Sequence, residues 1–259
     1  MLFKTVYGPE LECIYEFLRE SGPIDRESLY RVFLPLVDGE MGSRANLDDA
    51  LTFLTSGGML KKSEFGKYEV VGGELSFKLL LLSNLRKIQL GNVDPVHPLD
   101  PWFLGLADGL FVRPGRALAF GLHQAANALD LPEALSDEKV NAWRRVLEFL
   151  GVGSRVASGF LCWYRPEMVL EIIALWDEDE GPVQKLLEEH ISRFFPWESE
   201  AGDISPPLSA PLKNLENMGY IKLEERQDLP SRSYFGDKKI KWVKKGVDIN
   251  CFHASKKAV

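Results

Sequence analysis

Cysteine is scarce. Cys13, Cys162 and Cys251 are the only three in 259 residues, too few and too scattered for a disulfide framework. A reducing, cytoplasmic setting is expected. Long apolar runs are missing as well: the strongest, Leu79 to Leu82, falls far short of the ~20 residues that cross a bilayer. The start, Met1-Leu2-Phe3-Lys4 and then Gly8-Pro9, lacks the pattern of a secretory or transit segment, so no membrane partner is expected.

Metal and catalytic patterns are equally thin. His97, His123, His190 and His253 lie far apart, and only Cys251 and His253 stand at ligand spacing, without two further ligands beside them. Gly151-Val152-Gly153 begins like a dinucleotide fingerprint, but Val156 takes the third glycine's place and a helix precedes it where a strand is needed. The acidic run Asp177 to Glu180 has no glycine-punctuated calcium loop and reads as a solvated hinge. The chain is expected to be non-catalytic, without metal or cofactor.

Positive charge is also short overall, since the net charge is -7. That argues against nucleic acid bound over the whole surface. The charge is unevenly divided, however. From Pro211 onward eleven lysines and arginines face six carboxylates, so this tail carries +5 and the preceding residues carry -12.

What the chain does have is a unit present at both ends. Between Pro9 and Val71, Leu11, Ile14, Tyr15 and Leu18 recur at helical spacing before Gly22-Pro23. Asp25 is placed to cap a second helix bearing Leu29, Val32, Phe33 and Leu36, and a loop with Gly39 and Gly42 follows. Asn46 is expected to cap a third helix with Leu47, Ala50, Leu51 and Leu54, which Gly57-Gly58 stops. Met59 to Lys62 and Tyr68 to Val71 then read as two strands around a charged turn.

From about Pro182 the pattern returns. Val183, Leu186, Leu187, Ile191 and Phe194 mark a helix, and Ser209 is expected to cap another carrying Leu212, Leu215 and Met218 before Gly219. Tyr220 to Glu224 and Ile240 to Trp242 alternate as strands around a polar wing, Gln227 to Asp237. Leu75 to Leu90 is apolar on most sides and is expected to be buried. Proline-rich Gly91 to Pro101 reads as a linker. Between them the middle block is mainly helical: Ser136 caps a helix buried through Val140, Trp143, Val146, Leu147 and Leu150, Val156 to Tyr164 reads as strand, and Glu167 to Trp176 as helix.

The expected fold is mostly α with short β-hairpins, an α+β chain of tandem modules around a helical middle block. Residues 1–91 form one module with a linking helix, 92–181 a helical middle domain with a degenerate third copy as the other reading, and 182–259 the last module.

The stretch from Leu212 through Gly219-Tyr220-Ile221 to Arg226 resembles the recognition helix and first wing strand of the bacterial and archaeal winged helix-turn-helix superfamily, and Asn46 to Lys62 is similar in pattern. The resemblance implies binding of double-stranded DNA through the third helix and wing, with transcription regulation as the usual use. Lys213 and Asn214 would read base edges, and Arg226, Arg232, Lys238, Lys239 and Lys241 would flank phosphates. Against this stands a merely solvated basic face, interrupted by Glu216, Glu224 and Glu225. Arg144, Arg145 and Arg155 are secondary phosphate candidates.

In the first module Asp48 and Asp49 would repel phosphate, so this copy is expected to serve as a homo-oligomer or partner-docking block. Two functions follow from the sequence: a DNA-binding regulator, or a non-catalytic interaction subunit of a prokaryotic complex such as an antiviral defence assembly.

Overall fold

A left-handed backbone turn is open to glycine at little steric expense, and it swings a chain out of a helix. Three helices that lead into hairpins use it: Gly58 at φ +67°, Gly151 at +81° and Gly219 at +80°. Each lies two residues before the first hairpin strand. The computed structural model describes residues 1–34, 36–37, 40–41, 43–226, 231–234 and 238–246.

Along the chain the first elements are α1 (Gly8–Ser21), α2 (Arg26–Phe33), β1 (Leu36–Val37), β2 (Glu40–Met41), α3 (Ala45–Ser56), β3 (Leu60–Lys62), β4 (Tyr68–Val70) and α4 (Phe77–Gln89). Then come α5 (Trp102–Ala107), which runs into a π-helical turn at Asp108–Val112, β5 (Leu118–Ala119), α6 (Leu122–Asn127), α7 (Asp137–Leu150), β6 (Gly153–Val156) and β7 (Gly159–Cys162). The last are α8 (Pro166–Ala174), β8 (Glu180–Pro182), α9 (Val183–Lys185) with π and 3-10 turns on to Arg193, α10 (Pro206–Asn217), β9 (Ile221–Glu224), β10 (Arg232–Tyr234), β11 (Lys238–Ile240) and β12 (Trp242–Lys245). The chain is mixed α and β with small antiparallel sheets, as the sequence led one to expect.

One order occurs twice in full, apart from the β10-β11 ladder set into the later case: helix, strand, helix, helix, strand, strand, with the last strand at the centre of its sheet; near the start of the chain it occurs with its first strand reduced to a single bridge and the β1-β2 ladder between its second and third helices. In the first occurrence Ile24 bridges Tyr68 on β4, and β4 pairs with β3. In the second the sheet order is β5-β7-β6, and in the third β8-β12-β9. The first helix of the last occurrence is α8, so the copy begins well before Pro182, and the acidic run at its end leads into sheet strand β8.

Compact packing divides the chain differently, into Met1–Gly105 with Ala126–Leu150, and Leu106–Ala125 with Gly151–Val259. Neither residue 91 nor residue 181 is a boundary between these units. The middle occurrence has α7 in the first unit and its sheet in the second.

In the first unit, α1 buries Leu11, Ile14, Tyr15 and Leu18, the face its periodicity marks out. Asp25 caps α2 as expected, its carboxylate accepting from Ser28 N at 3.0 Å and from Ser28 Oγ at 2.8 Å. Phe103 gathers the rings of Phe3 and Phe53 at 5.3 and 5.6 Å, and its carbonyl accepts from Trp143 Nε1 at 2.7 Å. Ser136 Oγ accepts from Lys139 N at 3.3 Å at the start of α7. The segment Gly91 to Pro101 is no free linker, because buried Asp100 accepts from Leu2 N at 2.6 Å and from His97 N at 2.9 Å.

Several local expectations are corrected. Helix α3 starts at Ala45, with Arg44 and not Asn46 at the cap position. The loop after α2 contains the two-strand ladder β1-β2; Gly39 and Gly42 lie outside the described residues. Val156 to Tyr164 is the end of one strand, a turn through Ala157 at φ +48°, and a second strand, not a single one.

In the second unit, α10 starts at Pro206 after Ser205, so Ser209 lies inside the helix and is buried. Proline suits a helix's first turn, where the missing N–H is no loss. Pro211 is harder to place, since it leaves the Pro207 carbonyl without its helical donor. Tyr164 N supplies one at 3.1 Å, and Tyr164 OH reaches the Pro196 carbonyl at 2.6 Å.

Candidate nucleic-acid interface

The expected DNA-reading surface is α10 with the wing that follows β9. Burial defines what it can offer. Pro207, Leu208, Ser209, Pro211, Leu212 and Leu215 are buried, and no residue of α10 before Asn217 is exposed. Part of the cover comes from the wing itself. Strands β10 and β11 pair with each other, leaving β12 alone to join β9 and β8, so the expected strand from Ile240 to Trp242 is broken at Lys241.

β10 is tied down at its middle residue, Ser233. Ile204 N donates to the Ser233 carbonyl at 3.1 Å, and Ser233 N to Asp203 Oδ1 at 3.2 Å. Tyr234 is buried, its hydroxyl 3.3 Å from Glu216 Oε2 on α10, and burial beside that carboxylate pushes its pKa up. Residues 227–230 and 235–237 of the expected wing lie outside the described residues.

The expected phosphate ligands are largely engaged within the chain. Lys213 Nζ stands 2.8 Å from Glu216 Oε2, and Lys238 Nζ 3.5 Å from the same oxygen. Burial works to raise the Glu216 pKa, but the two lysines outweigh it and hold the carboxyl below its ordinary value. Arg226 pairs with Glu224 at 3.1 Å and stacks over Trp242 at 3.9 Å. Arg232 meets Glu188 at 3.1 Å, Glu198 at 3.0 Å and the Gly202 carbonyl at 2.7 Å.

Lys239, Lys241 and Asn214 differ. Among the described residues their side chains form no ion pair or hydrogen bond, and Lys239 is exposed. Sequence reasoning missed the hub of this surface, Glu216 with Tyr234. The i,i+3 spacing of Lys213 and Glu216 was the readable signal; the return of Tyr234 onto the helix has no local mark.

The secondary candidates fall in both units. Arg144 and Arg145 belong to the first unit and Arg155 to the second. Arg144 hydrogen-bonds Asn141, and Arg145 lies 4.8 Å over the Tyr7 ring with its guanidinium 3.3 Å from the Tyr7 hydroxyl. Arg155 is exposed on β6.

In the first copy, Asp48 on α3 is not a bare repelling charge. Arg26 Nε lies 2.8 Å from its Oδ1 and Tyr30 OH 2.5 Å, while Lys4 Nζ holds Asp49 at 2.9 Å. Burial would raise the Asp48 pKa, but these partners and nearby Arg44 depress it. The turn between β3 and β4 carries Phe65 at its tip, 89 % exposed.

Among the described residues no helix is long and apolar enough to cross a membrane, and no cluster of three histidine, cysteine or carboxylate residues could hold a metal ion. Cys251 and His253, at ligand spacing in the sequence, lie outside the described residues. No protein-family model, curated protein or solved structure matches this chain.

Proposed function

We propose that the chain is a cytoplasmic, non-catalytic protein of tandem winged-helix modules that serves as an interaction subunit of a larger assembly. Support for the modules comes from the element order with a central last strand, present twice in full and once with its first strand reduced to a bridge, and from the glycine turn before each hairpin. The observation that carries the interaction role is the cover on α10. A helix that reads bases must present a continuous exposed face to the major groove. Here no residue of that helix before Asn217 is exposed, and Tyr234 of the wing is packed onto it. Most of the cations that would meet phosphates already have carboxylates within the chain.

The test is a fluorescence-anisotropy titration of the full chain against a 20-base-pair duplex, from low to physiological salt. No binding near physiological salt is expected. Retention whose logarithm falls with log salt at a slope of about -2 or steeper, the mark of two or more neutralised phosphates, overturns the reading.

A second reading, duplex contact through Lys239, Lys241 and Asn214, draws on their freedom from internal partners among the described residues. It predicts that Lys239→Ala with Lys241→Ala flattens that slope by about 0.9 for each phosphate no longer neutralised. The first copy is a further docking block in the proposed assembly, for a protein partner or a second copy of the chain, with Phe65 as its point of attachment.

A further inference from the structure

The outer face of the sheet β5-β7-β6 is apolar where a solvent-facing sheet is expected to be polar. Alternation sends Ala119, Phe160 and Cys162 into the core, all buried. The other face bears Leu118 at 41 % exposure, Phe120 at 57 %, Val156 at 40 % and Trp163 at 41 %, with half-buried Leu161 and the small polar Ser154 opposite it among them. Register places these together: Leu118 opposes Leu161, and Val156 opposes Gly159. A Cβ on Gly159 would stand 2.8 Å from Phe120 Cδ1, so the ring lies against the glycine backbone.

Single exposed apolar residues are ordinary, but a contiguous group on one sheet face marks a contact surface. Beside it opens a cleft of about 510 Å³ whose lining includes Trp163, Leu161, Pro206, Ala210 and Tyr234. Ser209 also lines it; the residue is buried, and its hydroxyl has no hydrogen-bond partner among the described residues.

Charge narrows the occupant. Residues 109–125 and 151–166, which build this sheet and its flanks, contain Arg113, Arg116, Arg155 and Arg165 but no lysine, aspartate or glutamate. Arg165 follows Trp163 by two residues and is exposed. Aromatic residues and arginine with depleted lysine and carboxylate form the signature of a protein interface core. Of these four arginines, Arg113 pairs with Asp108 at 3.4 Å and Arg155 opposes core-facing Phe160, which leaves exposed Arg116 and Arg165 beside the outer face, so a second copy laid face to face would set arginine against arginine. The aliphatic Leu118, Leu161 and Val156 offer nothing for a base to stack on, which disfavours single-stranded nucleic acid.

We infer that this face, resting on the interaction role proposed above, docks an apolar segment of another protein that also carries carboxylates, with one large side chain seated in the cleft.

A random twelve-residue peptide library displayed on phage, selected against the full chain, tests it. Enriched peptides should combine aromatic or aliphatic residues with Asp or Glu. The synthetic peptides should lose at least about tenfold in affinity to Trp163→Ser and to Phe120→Ser, as interface anchors do. Far-UV circular dichroism and the urea midpoint identify any variant that unfolds, and either variant suffices. Arg165→Glu should weaken the same peptides and recover affinity for versions with Asp and Glu replaced by Lys.

Failure to enrich, or peptides whose affinity neither variant changes, overturns the inference and leaves the proposed function standing. A dimer in sedimentation equilibrium that Phe120→Ser makes monomeric overturns it in favour of a second copy. Binding of a 30-residue oligothymidylate that Trp163→Ser abolishes overturns it in favour of single-stranded nucleic acid. Salt-dependent duplex binding unaffected by either variant would instead overturn the interaction role itself.

Discussion

The two end copies share an order of elements and differ in what they do with the hairpin. In the first, the turn between β3 and β4 closes in five residues, Ser63 to Lys67, and leaves Phe65 projecting at 89 % exposure. In the last, the connection between β9 and β12 is long enough to fold its own ladder, β10-β11, and bring Tyr234 back onto α10. The third helices differ in consequence. Ala45, Asn46 and Thr52 of α3 are exposed, whereas α10 exposes nothing before Asn217. Electrostatics runs in parallel: each helix has a carboxylate held by a tyrosine hydroxyl and by cations, Asp48 by Tyr30 and Arg26, Glu216 by Tyr234, Lys213 and Lys238. Topology is therefore a poor guide to the working surface, because a few residues of loop length decide which face stays open.

The wing contrast gives the largest expected effect. Tyr234→Ala removes a buried ring and should destabilise the chain by about 3 to 5 kcal/mol. Phe65→Ala, at a projecting tip, should change stability by no more than about 0.5 kcal/mol. Urea midpoints at constant slope measure both. Equal effects would erase the distinction between a folded-back and a projecting wing.

How far the sequence reached follows the same division between local and distant causes. Helical periodicity and the glycines found α1, α3, α7 and the hairpin at β3-β4, since each signal is contained in a few neighbouring residues. At α10 Ser209 looks like a cap and marks the start too late, while the true start rests on Pro206 and on a bond from Tyr164 far back in the chain. Likewise the sequence at β8 reads as hinge, since its acidic lead-in looks solvated and its partner β12 lies some sixty residues on. For the candidate interface, the cations were legible as charge. Their neutralisation was not, apart from Lys213 with Glu216, because Arg232 finds Glu188 and Glu198 only through tertiary folding.

The shared element sharpens the comparison from the other side. Gly58 and Gly219 both hold φ near the left-handed region, at +67° and +80°, and both are followed by a residue whose N–H returns to the helix: Met59 N to Leu54 O at 2.8 Å and Tyr220 N to Leu215 O at 3.0 Å. A side chain at such a position costs roughly 1 to 2 kcal/mol through backbone strain. Gly58→Ala and Gly219→Ala should therefore lose similar stability despite the different wings. No atom lies within 4 Å of a Cβ built on Gly219, so its loss would be conformational alone. A neutral Gly219→Ala alongside a damaging Gly58→Ala would show that the two turns are not equivalent.

The smallest effect expected is in acid. Glu216 has a folded pKa below its ordinary 4.5, burial being outweighed by Lys213 and Lys238. A group depressed by folding binds its proton less readily in the native state, so its contribution is complete above the ordinary value and disappears as pH falls below it through the folded value. Asp48 obeys the same sign from an ordinary 3.8, through Arg26 and Tyr30. Both copies should lose stability on acidification below about pH 4.5. In Glu216→Gln and in Asp48→Asn the urea midpoint should fall less between pH 7 and pH 3 than it does in the unaltered chain, because each variant lacks one of the groups that titrates. The Glu216→Gln chain should also free Lys213 and Lys238 at every pH, so its midpoint at pH 7 starts lower. If its acid-induced fall equals that of the unaltered chain, the Glu216 cluster does not hold the wing against α10, and the contrast between the copies rests on Tyr234 burial alone.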